Sequence, residues 1–88
     1  MFPHKIFKRA LKRSFPNVHG KPAFCGVQRY VTDLDGFDGS PDDPYFVYAF
    51  RFGGKDITLE FRSSLCWISI DLHGTDKGYV TLWEGSAK

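Results

Sequence analysis

Apolar residues near the start of the chain recur at the spacing of a helix. Ile6, Phe7, Ala10, Leu11 and Phe15 fall at i, i+1, i+4, i+5 and i+9, one stripe of a 3.6-residue period, while Lys5, Lys8, Arg9, Lys12 and Arg13 take the opposite stripe. The spacing predicts a helix over residues 3–15. Pro3 suits its first turn, where a missing N–H costs nothing, and Pro16 disfavours helical geometry at Phe15 and ends it. No capping side chain precedes this helix, and five like charges on one face repel. Packing rather than propensity must hold it.

Beyond the connector at 16–22 the period changes to two. Residues 23–32 read as a first strand, with Gly26 as a bulge. Residues 33–44 form an acidic loop rich in Asp, Gly, Ser and Pro, each of which favours turns. In the next strand, 45–52, Phe46, Tyr48, Phe50 and Phe52 share one face and Tyr45, Val47 and Ala49 the other. A strand apolar on both faces is central, or it shows a face to a partner. Gly53-Gly54 signals a hairpin into residues 55–62, where Ile57, Leu59 and Phe61 alternate with polar neighbours. After Ser63-Ser64 a strand is expected at 65–72, with Cys66, Ile68, Ile70 and Leu72 on one face. A turn at 73–78 and a last strand at 79–84 follow, leaving 85–88 frayed.

The sum is an α+β fold in one small domain, 1–88: an N-terminal amphipathic helix packed on a four- to five-stranded antiparallel β-sheet, a two-layer sandwich with its β-meander at about 23–84. The helix stripe is expected to cover Ile57, Leu59 and Phe61. The first and last strands are the expected sheet edges, which leaves pairing with a partner strand, or a homodimer through an edge, open. A chain of 88 residues buries roughly 60–65% of its unfolded surface. Nine Phe, four Tyr and two Trp against one Met make that modest core aromatic.

Charge sharpens the picture. Seven bases precede the first acid, Asp33, and five bases face ten acids afterwards, so the net charge of +2 hides two opposed parts. Such asymmetry points to a charged partner or to pairing between the halves. No apolar run reaches the roughly 20 residues of a membrane span, and no secretory signal is present, so a cytoplasmic protein is expected. The basic start shares its amphipathic character with mitochondrial presequences, although Ser14 is its one serine. Cys25 and Cys66 are too few for a disulfide framework and are expected as reduced, buried thiols.

Candidate chemistry is thin. The spacing Asp33-x-Asp35-x-x-Asp38 tempts a calcium assignment, but Phe37 and Pro44 stand where that loop needs oxygen ligands. His4, His19 and His73 lie far apart without metal-ligand spacing, so no metal and no cofactor are expected. Asp71 and His73 share a strand face with Cys66 on the other, which disfavours a triad. The strand PYFVYAFRF, flanked by Arg51 and Arg62, carries rings of the kind that stack unpaired bases, but the glycines and second helix of an RNA recognition motif are missing.

These features favour a non-catalytic binding module that docks on another macromolecule. The preferred form is a small inhibitory or regulatory protein of the phage or mobile-element accessory type, an analogy of size rather than a motif, with an acidic protein surface as partner. The alternative is nucleic-acid binding by counterion release. An enzyme is the third reading. The expected partner-binding or nucleic-acid-binding residues are Lys5, Lys8, Arg9, Lys12, Arg13, Arg29, Tyr48, Arg51, Arg62 and Trp67.

Overall fold

The computed structural model describes residues 2–31 and 42–87. One short helix, α1 (His4–Ser14), precedes five strands: β1 (Ala23–Tyr30), β2 (Tyr45–Phe52), β3 (Lys55–Arg62), β4 (Ile68–Thr75) and β5 (Gly78–Gly85). The strands form one antiparallel sheet in chain order, with β1 and β5 at its edges. The acidic loop and its calcium-like spacing lie outside the described residues except for Asp42, Asp43 and Pro44, and so does Thr32.

Local chemistry explains most boundaries. The helix is one residue shorter at each end than its spacing predicts. Pro3 sits at the N-cap with φ −79° and ψ 69°, and Phe15, held off helical geometry by Pro16, caps the end with φ −132°. Gly53 and Gly54 both take left-handed φ, 58° and 77°, as a two-residue β2–β3 hairpin requires. Gly26 marks the expected bulge, where the β1–β2 register shifts between Phe24 and Gly26.

Four expectations are corrected. The fourth strand does not span 65–72 but Ile68–Thr75. The Asp43 carboxylate accepts the Ser63 hydroxyl and the Ser64 N–H, each at 2.9 Å, and the Ser64 hydroxyl at 3.0 Å. That clamp commits the backbone to a loop, in which Leu65 adopts φ 61° and Arg62 N–H reaches the Trp67 carbonyl at 3.2 Å. The expected turn at 73–78 shrinks to Asp76-Lys77, because Thr75 pairs with Gly78 and Gly74 absorbs a register shift. Both cysteines are exposed rather than buried: Cys25 is the extra residue of the edge-strand bulge, and Cys66 lies in the clamped loop. The C-terminal residues are not frayed throughout, since Ala87 N–H and the Ser86 hydroxyl both donate to the Leu65 carbonyl, at 3.0 and 3.3 Å.

Register places Phe46, Tyr48, Phe50 and Phe52 on the same sheet face as Ile57, Leu59, Phe61, Ile68 and Ile70. Leu59, Ile68 and Ile70 have no accessible surface, and Phe7, Ala10 and Leu11 of α1 are buried in the same cluster. Width decides what the helix cannot cover. Five strands spaced about 4.8 Å apart make a sheet about 24 Å across, whereas a helix with its side chains is about 10 Å wide. One helix roofs about two strands. Ile6 and Ala10 line one small cleft with Leu82 and Trp83 on β5, and Phe7 reaches Phe50 on β2, so among the described residues α1 lies toward β5 and the β1 side of the face is left open.

Candidate functional site

The uncovered strip of that face is an open groove of about 920 Å³. Its floor is aromatic, from Phe24 on β1 and Tyr48, Phe50 and Phe52 on β2. One wall is the flank of α1, with Phe7 and Leu11, extended by Phe2 and Phe15. The connector forms the end wall through Val18 and Pro22. The rings brace one another: Phe2 meets Tyr48 edge-on at 4.9 Å between centroids, Phe7 meets Phe50 at 4.7 Å, and Phe24 touches both Tyr48 and Phe50. Offset and edge-to-face pairs of this kind stabilise the floor beyond area burial alone.

The rim is cationic. Lys8 and Lys12 rise from α1 and Lys21 from the connector, with His4 and His19 beside them. Among the described residues that line the groove there is no carboxylate. At its outer edge the apolar floor runs into solvent, with Phe24 58% and Val27 47% exposed. These two exposed apolar side chains adjoin the concave aromatic floor, so together they form one contiguous apolar patch.

The ten sequence-predicted residues divide among three places. Lys5, Lys8, Arg9, Lys12 and Arg13 are all exposed on α1, as expected, but they straddle the helix. Lys8 and Lys12 flank the groove, while Arg9 and Arg13 border a small cleft against Leu82 and Trp83. Arg29 lies on β1 opposite Phe46, on the groove's face of the sheet. Tyr48 is half-buried in the floor. Trp67 is on the other face, stacked on Tyr45 at 5.8 Å, so the two rings are not brought together. Arg51 is paired with Asp56 at 2.8 Å, and Arg62 stands 4.0 Å from Asp43. Sequence reasoning missed Phe24, Lys21 and the connector. The sequence signal for Phe24 is a large ring beside a predicted bulge on an edge strand.

The opposite face carries a second cluster, a polar one on β3, β4 and β5. Asp71, only 5% exposed, accepts the Thr81 hydroxyl at 2.8 Å and the Ser69 hydroxyl at 3.2 and 3.4 Å. His73 Nε2 shares a 2.7 Å hydrogen bond with the Thr58 hydroxyl. Tyr45 donates to Glu60, and burial foremost, then the Glu60 charge, pushes the Tyr45 hydroxyl well above its ordinary range. Burial also raises the Glu60 carboxyl and Asp71 adds to the rise, against the Tyr45 hydrogen bond and the His73 charge. A hydroxyl beside a histidine resembles the first step of nucleophilic activation. Here, though, the Asp71 carboxylate is engaged by Ser69 and Thr81. Among the described residues no group of three or more His, Cys, Asp or Glu is placed to hold a metal ion. None of the described helices is long and apolar enough to cross a membrane.

Comparison with family models, curated proteins and solved structures finds no match to this chain.

Proposed function

We propose that the protein is a non-catalytic docking module that binds an acidic protein surface through the aromatic groove and its lysine rim, acting as an inhibitor or regulator by occlusion. The observation that carries this reading is the groove itself: a partly open aromatic floor with Lys8, Lys12 and Lys21 around it and, among the described residues, no carboxylate in its lining. Interfaces draw much of their energy from buried rings, and a rim of one sign selects an oppositely charged partner and speeds its encounter. The non-catalytic part rests on the second cluster, where Asp71, opposite Thr58 in the β3–β4 register, accepts the Ser69 and Thr81 hydroxyls rather than a histidine N–H. Two exposed thiols suit a reducing compartment, and the cytoplasm is the location proposed.

Affinity capture from the source cells tests this with three baits: the native protein, Phe24→Ser, and the double variant Lys8→Glu/Lys12→Glu. Both variants alter exposed positions, and circular dichroism checks that they keep the fold. The expected outcome is a discrete acidic protein retained by the native bait and lost from both variants. Retention on all three would refute the groove as the docking surface.

Nucleic-acid binding is the second reading, favoured by the five exposed cations of α1. It predicts binding of labelled DNA or RNA oligomers that weakens steeply with salt, with a slope reduced by about one for each phosphate-contacting lysine removed. Absence of binding at low salt eliminates it.

A further inference from the structure

The groove continues onto the edge strand β1. β1 is terminal in the sheet, and among the described residues no strand pairs with its outer side. From Gly26 to Tyr30 its register with β2 is unbroken, so its backbone is regular where a new strand would lie. Natural edges are usually blunted by Lys, Pro, bulges or inward charges. This one has a single bulge near its start and one charged residue, Arg29. The other edge, β5, also exposes apolar side chains at Tyr79 and Val80, but its pairing is broken in mid-strand by a bulge at Leu82, and α1 lies on that side of the sheet rather than leaving a groove there.

We infer that the partner enters as an extended acidic segment of another protein, adding a sixth strand antiparallel or parallel to β1 along Gly26–Tyr30 and laying apolar side chains onto Val27 and, across the bulge, onto Phe24 at the mouth of the groove. This rests on the docking reading above and deepens it. Side chains of an added strand alternate between faces, so every second one lands on the groove side, while main-chain bonds to β1 supply affinity independent of sequence. Phe24 belongs to both features, lining the groove and standing on the edge strand, which makes strand addition and groove filling one event. Charge selects the partner. Lys8, Lys12 and Lys21 rim the groove and Arg29 projects from β1 itself, so carboxylates at the ends of the added segment find a cation on either side.

The probe is a displayed library of random dodecapeptides, selected on the intact protein. Enriched sequences are expected to carry apolar residues at alternate positions and an excess of Asp and Glu. Synthetic copies N-methylated at alternate amides should weaken by roughly tenfold in one register and little in the other, because only one set of amides faces β1. Affinity should also fall in about half-molar salt. Peptides with apolar residues at i, i+3 and i+4, insensitive to backbone methylation yet lost with Phe24→Ser, would overturn strand addition and leave the docking groove intact. Failure to enrich any peptide, or enrichment of basic ones, would overturn both readings. A concentration-dependent dimer in sedimentation, abolished by Gln28→Pro, would give the edge to a second copy of this chain and also overturn the proposal. The methylation series keeps that conclusion independent of whether the proline variant folds.

Discussion

At the scale of single residues, the chain places its carboxylates in contrasting surroundings. Asp71 is buried on the sheet face opposite α1, held by hydroxyls of Ser69 and Thr81. Thr81→Val keeps the shape and β-propensity but removes the closest donor, and denaturant unfolding should register a loss of about 1–2 kcal/mol. Thr81→Ser should recover most of it. Glu60 and Asp43 make opposite contributions to the pH dependence. The Glu60 carboxyl stands above its ordinary 4.5, so folding favours its protonated form; its contribution is full below that value and is lost as pH rises through the raised one. For Asp43, burial alone would raise the pKa, but the Ser64 N–H, the two serine hydroxyls and Arg62 together bring it below the ordinary 3.8. Its contribution is present above 3.8 and disappears as pH falls through the lowered value. Unfolding midpoints measured across the acid range should therefore flatten above 4.5 in Glu60→Gln and below 3.8 in Asp43→Asn. Identical profiles in variants and parent would show that neither group is linked to folding.

Elements show why some of this was legible in advance and some was not. The helical stripe of α1, the two faces of β2 and the alternation of β3 are local patterns, and the sheet preserves them. The start of β4 is not local. Leu65 and Trp67 have strand-like side chains, yet Asp43, some twenty positions earlier, clamps Ser63 and Ser64 and turns the backbone at Leu65. No window of neighbouring residues contains that contact. The β2–β3 hairpin is a further long-range lesson. Gly53 is left-handed, and a methyl there would meet Val18 Cγ1 at 2.7 Å, so the connector that closes the groove rests on a glycine. Gly53→Ala should cost about 2–3 kcal/mol, part from the left-handed backbone and part from the clash. Adding Val18→Ala should return only the second part. A double-mutant cycle with no coupling would mean that the connector does not pack there.

For the molecule as a whole, the mismatch between one narrow helix and a wide sheet creates the groove. The sequence pattern indicated which residues face the helix but not where across the sheet the helix rests. The site was therefore half visible: its lysines on α1 stood out, whereas Phe24, Lys21 and the end wall emerged only with the packing. The same mismatch has a consequence for handling. An aromatic floor left wet invites molecules to stick face to face, and Lys8, Lys12, Lys21 and Arg29 are the fence that holds them apart. Salt lowers that fence, since charges are screened beyond about 10 Å at 0.1 M and beyond about 3 Å at 1 M. Concentrated stocks should stay clear in dilute buffer and turn turbid as sodium chloride is added, and Phe24→Ser should blunt that clouding.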